Sequence, residues 1–189
     1  MTTTAMTTTA PSRIFVARLA GLTVFDPVGD QVGRVRDVVA TLRLEPQPPR
    51  VIGLVVKVQN RPIFVPISRV TSFDAGQVML QTGKVDLRRF ERRPGETLVL
   101  GDILDRKVTL RESGQPVTIY DCAMEPTRSE DWLITRVAVR TGGGMRRRAQ
   151  VQQVPWDAVT GLTLAESEQG AARLLALYDG MRPADLAHA

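Results

Sequence analysis

The stretch VPISRVT at Val65–Thr71 returns as VPWDAVT at Val154–Thr160. Each copy sets a valine against a proline, passes three variable residues and ends on Val-Thr, the composition of a strand that bends and resumes. Upstream, VFDPVGDQVGRVRDV at Val24–Val38 aligns without a gap on VTLRESGQPVTIYDC at Val108–Cys122. That alignment sets Val24 on Val108, Gln31 on Gln115, Val35 on Ile119 and Asp37 on Asp121. A spacing of about 85 residues is too long for a solenoid repeat and suits a tandem pair of small independent domains.

Composition supports strand-built cores. Of the 189 residues 43% are hydrophobic but only 5% aromatic, so the two small cores must be filled by valine and leucine. Cys122 is the sole cysteine, which excludes an intrachain disulfide, and its apolar strand context is that of a small buried hydrophobe. No secretory leader pattern opens the chain, and no apolar run approaches the roughly 20 residues needed to span a bilayer. A cytoplasmic protein is expected, with the inner face of the membrane as one place of work. The net charge of +5 is compatible with anionic lipid, nucleic acid or an acidic protein and selects none of them.

Along the chain, residues 1–12 hold the repeated MTTTA pentapeptide and read as a disordered tail. A first domain is expected over 13–83, with paired strands at Gly33–Leu44 and Val51–Val58 around the proline-rich EPQPPR loop. Residues 84–97, KVDLRRFERRPGET, form a basic linker, and a second domain over 98–165 repeats the order of the first. From 166 to 189 the pattern turns helical: Ala171, Leu174, Leu175, Tyr178 and Met181 make one apolar stripe.

Catalytic equipment is sparse. His188 is the only histidine and stands next to last, Cys122 has no activating neighbour in sequence, and no catalytic residue is assigned. The acidic pairs Asp102 with Asp105 and Glu130 with Asp131 lack the spacing of a calcium loop and suit turns. Asp37 and Asp121 stand in strands against propensity, as acceptors of backbone N–H groups at a bend or as ligands. Two arginine clusters remain, Arg88, Arg89, Arg92 and Arg93 in the linker and Arg146, Arg147 and Arg148 in the GGGMRRR turn. Facing one way they would form a basic interaction surface; facing apart they are solvated charge. The helical stripe of Leu174, Leu175, Tyr178 and Met181 is a candidate docking face.

The run DPVGDQVGRVRDV, followed by VIGLVVKV and IFVPISRV, resembles the PRC-barrel family, small β-barrels found in the photosynthetic reaction-centre H subunit and in the ribosome-maturation factor RimM. In the second copy Asp121 and Val-Pro recur, with Pro155 in the place of Pro66, but Val117 stands where the first has Gly33. More widely, ARLAGLTVFDPVGDQVGRVRDVV, RRFERRPGETLVLGDILDRKVTL and RPADLAHA resemble the N-terminal region of actinobacterial proteins in which such barrels precede an MgtE-type helical domain and a CBS pair. The resemblance implies a mainly β protein: two tandem small antiparallel β-barrels with a C-terminal helix that opens the helical domain. It implies a non-enzymatic regulatory module of a magnesium transporter, docking on the adjoining helical and CBS domains, on another protein or on an anionic membrane surface. Magnesium would bind only through domains absent from this chain, so no cofactor or metal residue is assigned. An RNA- or ribosome-associated adaptor of the RimM type is the alternative, and a homodimer is compatible with either.

Overall fold

The computed structural model describes residues 13–43, 46–74, 76–142 and 148–162. The first half contributes β1 (Ile14–Phe15), β2 (Thr23–Phe25), β3 (Gln31–Thr41), β4 (Arg50–Val58), β5 (Arg61–Pro66), β6 (Val70–Phe73) and β7 (Gln77–Leu80). The second contributes β8 (Glu96–Leu98), β9 (Lys107–Leu110), β10 (Pro116–Pro126), β11 (Trp132–Thr141), β12 (Gln150–Pro155) and β13 (Val159–Thr160). Both Val-Pro pairs end a strand and enter a one-turn 3₁₀ helix, Ile67–Arg69 and Trp156–Ala158, because proline fixes φ and cannot extend the ladder.

The protein is mainly β, as the alternation of apolar residues dictates. Leu54 and Val56 of β4 are wholly buried, and Val55 on the opposite face is nearly so. The two closed antiparallel barrels expected from the sequence do not form. Instead, the strands join a single mixed sheet in the order β13-β9-β10-β11-β4-β3-β2-β7-β6, with β1 on β10, β12 on β11, β5 on β4 and β8 on β3. Two features distinguish it from a plain tandem of like units. In the first half β7 lies parallel to β2 and separates it from β6, whereas in the second β13 pairs directly with β9. The halves also exchange their opening strands. β1 pairs with β10 through Ile14↔Met124 and Phe15↔Ala123, while β8 pairs with β3 through Val39↔Leu98 and Ala40↔Thr97.

The duplication extends to fine detail. A 3₁₀ turn at Val16–Leu19 and a π-helical turn at Val99–Ile103 follow β1 and β8. Just beyond, Gly21 (φ 79°) and Asp105 (φ 65°) take the left-handed conformation that lets each N–H reach Val35 O and Ile119 O, both at 2.8 Å. Each long strand then breaks register at two equivalent places, at Val35/Asp37 and Val39/Ala40 in β3 and at Ile119/Asp121 and Ala123/Met124 in β10. One hydrophobic cluster runs through both halves, from Leu54, Ile63 and Val78 to Ile119, Met124 and Ile134. The tail at 1–12 and the C-terminal helix over 166–189, with Leu174, Leu175, Tyr178 and Met181, lie outside the described residues, as do Arg146 and Arg147.

Candidate interaction groove

Residues 84–96 return to the first half and lie along β5, whose outer edge meets no other strand among the described residues. Arg89 forms an antiparallel bridge with Ile63, and the Phe90 N–H donates to Pro62 O at 2.7 Å. Arg61 donates to Leu87 O at 3.2 Å and Arg69 to Lys84 O at 2.7 Å, so first-half guanidinium groups hold the segment's backbone. The Phe90 ring stacks on Phe64 with centroids 6.2 Å apart. Phe64 in turn covers Gly53, where no side chain could fit beneath the ring. The segment then turns at Gly95, in the left-handed region at φ 82°, with the Arg93 N–H donating to the Glu96 carboxylate at 2.9 Å. Between segment and sheet runs a groove of about 700 Å³ bounded by Phe64, Pro66, Arg69, Arg89, Phe90 and Arg93.

The four arginines singled out in the linker therefore split into two kinds. Arg88 grips Asp86 through Nε and Nη2 at 2.8 and 2.6 Å, and the Arg88 side chain holds the Asp86 carboxyl down at about 2. Arg92 pairs with Asp102 at 2.9 Å, while the same carboxylate accepts the Leu98 N–H at 2.8 Å. Arg89 and Arg93 have no carboxylate partner among the described residues and supply the groove's open positive charge. Arg148 is exposed beside β12, on the other half.

Asp37 and Asp121 are buried, each with 8% of its surface exposed, and both serve the exchange of opening strands. Asp37 accepts N–H groups from Val38 (2.7 Å), Leu100 (2.8 Å) and Gly101 (2.9 Å), the last two from the Val99–Ile103 turn of the other half. Asp121 accepts from Cys122 (2.8 Å) and from Ala17 (3.0 Å) of the Val16–Leu19 turn. Burial raises both carboxyls above their ordinary value, and the backbone donors oppose that rise. Neighbouring Cys122 is fully buried, and desolvation, with the Asp121 charge added, drives its thiol far above the usual range.

Other acids fill structural places. Asp102 holds the turn at Leu98, Asp105 and Glu130 occupy left-handed turn positions, and Asp131 pairs with Arg50. Among the described residues, no group of three or more histidines, cysteines or acids comes together to hold a metal ion. Nor is any helix there long and apolar enough to cross a membrane.

The second half thus runs from the strand after the Arg93–Glu96 turn, through a π-helical turn and a long hairpin, to a 3₁₀ turn and a closing strand on β9. Residues 97–165 match the Actinomycetes SH3 domain family. That match overturns the PRC-barrel and MgtE-type resemblance, because the family recognised over the second copy is an SH3 domain and not a PRC-barrel or MgtE N-domain. The residues that carried the resemblance have local explanations instead. The acidic-glycine turn is Asp26 accepting the N–H groups of Val28 and Asp30, the strand aspartates cap turns, and the Val-Pro pairs end edge strands. No curated protein matches the chain.

Proposed function

We propose that this chain is a non-enzymatic interaction module built from two SH3-like units, and that the groove along residues 85–96 docks an acidic segment of a partner protein. The tandem reading is supported by the equivalence of the halves down to their register breaks and left-handed turns. One observation carries the docking reading: Arg89 and Arg93 stand without carboxylates beside the Phe64–Phe90 stack. A surface with apolar rings flanked by unpaired guanidinium groups suits a partner that brings carboxylates around an apolar or aromatic side chain.

The test uses a fluorescein-labelled peptide of glutamates flanking one tryptophan, followed by anisotropy against the whole chain. Replacing Arg89 and Arg93 together with glutamate should weaken binding by at least about tenfold, with the interaction also weakening as salt rises. Replacing Arg88, already gripped by Asp86, should matter less. Equal binding by the double variant would reject the groove, and preference for single-stranded RNA or anionic vesicles over the peptide would reject a protein partner.

A further inference from the structure

The two halves differ at one corresponding edge. In β5 the Pro62 carbonyl accepts the Phe90 N–H, so residue 62 turns its backbone outward, and by strand alternation so do 64 and 66. That edge is taken by Arg89 and Phe90. The Val-Pro repeat sets Pro155 on Pro66, and therefore Val151 on Pro62 and Gln153 on Phe64. β12 pairs with β11 alone among the described residues. Its outward N–H groups, at Val151 and Gln153, and the carbonyls beside them meet no strand among the described residues. Native sheets guard such an edge with charge, a bulge or a covering segment. Gln150–Pro155 carries no charged residue, and of its six residues only Val154 is even partly buried.

The side chains beside this edge describe what would fit there. Val151 lies directly opposite Arg140 in the β11–β12 ladder, so the two share a face. The Arg140 guanidinium sits 5.6 Å over the Tyr120 ring and has no carboxylate partner among the described residues. Tyr120 and Val151 are 53% and 52% exposed, among the most exposed large apolar side chains described. Arg148 stands exposed just ahead of the strand.

We propose that β12 takes an extended acidic segment of a partner protein as an added antiparallel strand. The added strand would hydrogen-bond Val151 and Gln153, lay an apolar side chain on Val151 and Tyr120, and set carboxylates against Arg140 and Arg148. The chain already shows this arrangement on its other half, where an extended segment with an apolar anchor lies along β5. The surface is separate from the groove proposed above and stands or falls independently of it.

The probe is the seven-residue peptide Glu-Thr-Val-Thr-Glu-Thr-Val with blocked ends, whose valines and glutamates share one face, titrated into the isotope-labelled full chain, with its valine-lysine counterpart as control. The Val151 and Gln153 amides should shift and their hydrogen exchange slow by at least about tenfold at saturation. The glutamate peptide should bind at least about tenfold tighter than the lysine one. Val151→Pro removes an outward donor at the place where Pro62 already stands, so it should fold and lose binding. Arg140→Glu keeps the edge and should reverse the preference between peptides, which tests the proposal even if Val151→Pro fails to fold. Shifts clustered at Phe90, unchanged binding by both variants, or loss of binding in the Arg89→Glu, Arg93→Glu protein would overturn it. So would amides at Val151 and Gln153 already protected in the free chain, which would mean that residues of this chain cover the edge. Protection that rises with protein concentration would overturn it as well, in favour of a second copy.

Discussion

Two aspartates in equivalent places do the same work with different numbers of atoms. Asp37 uses both carboxylate oxygens, Oδ1 toward Val38 and Leu100 and Oδ2 toward Gly101, whereas Asp121 receives both of its backbone donors on Oδ1. Asparagine can present one oxygen in this geometry but turns an NH₂ group toward whatever faced the other. Asp37→Asn should therefore cost about 1–3 kcal/mol by setting two donors face to face at Gly101, while Asp121→Asn should cost less than about 1 kcal/mol. Urea denaturation followed by circular dichroism gives both values, and equal costs would contradict the assignment. The same measurement carries a pH signature. Because burial raises the native Asp121 carboxyl above 3.8, the native state holds its proton longer than the unfolded chain, so stability from this group falls as pH rises through that window. The asparagine variant lacks this fall, so its penalty should be larger below pH 3.8 than at neutrality. Cys122, buried beside it with its thiol pushed upward, should react with a thiol reagent only as the protein unfolds. Modification at the rate of a free thiol under native conditions would contradict its burial.

At the scale of elements, the strands were legible in the sequence and their neighbours were not. Val51–Val58 reads as a strand from its alternation, and β4 spans Arg50–Val58; the strand read at Gly33–Leu44 is met by β3 at Gln31–Thr41. Alternation reports which side chains share a face and is silent on which edge meets which. So the sequence could expose the arginines of 84–97 as a cluster but not that Arg88 and Arg92 are neutralised by Asp86 and Asp102, or that Phe90 closes the edge of β5. The signal for that closure was Gly53. A Cβ there would lie 2.4 Å from Phe64 Cε2 and 2.5 Å from Val65 O, so glycine at this strand position marks a ring pressed onto the backbone. Gly53→Ala should cost about 1–3 kcal/mol and loosen the Phe64–Phe90 stack. Faster amide exchange at Phe90, with Asp121-dependent contacts unchanged, would locate the damage on β5; undisturbed exchange at Phe90 would separate the stack from the edge.

For the whole molecule, the duplication read from VPISRVT and VPWDAVT is real in structure, but the two copies are interlocked. β1 and the Val16–Leu19 turn complete the second half through Met124, Ala123 and Asp121, and β8 with the Val99–Ile103 turn completes the first through Val39, Ala40 and Asp37. The start of β4 also pairs with the start of β11, through Val51↔Trp132 and Arg50↔Leu133, so the sheet and its core pass from one half to the other without a break. Such sharing couples the stabilities, because neither half can open without leaving buried N–H groups and apolar surface of the other exposed. The chain should unfold in urea as one cooperative unit. Trp156 is buried in the second half, whereas Trp132 pairs with Val51 and packs edge-on against Phe73 of the first, so in a Trp132→Phe background tryptophan fluorescence reports on the second half while far-ultraviolet circular dichroism reports on both. The two transitions should coincide in midpoint and slope, and Asp37→Asn, a lesion at the first half's carboxylate, should shift the fluorescence midpoint as far as the dichroism midpoint. A fluorescence transition that ignores Asp37→Asn would mean that the halves melt separately, and that the exchanged strands decorate two independent domains rather than joining them.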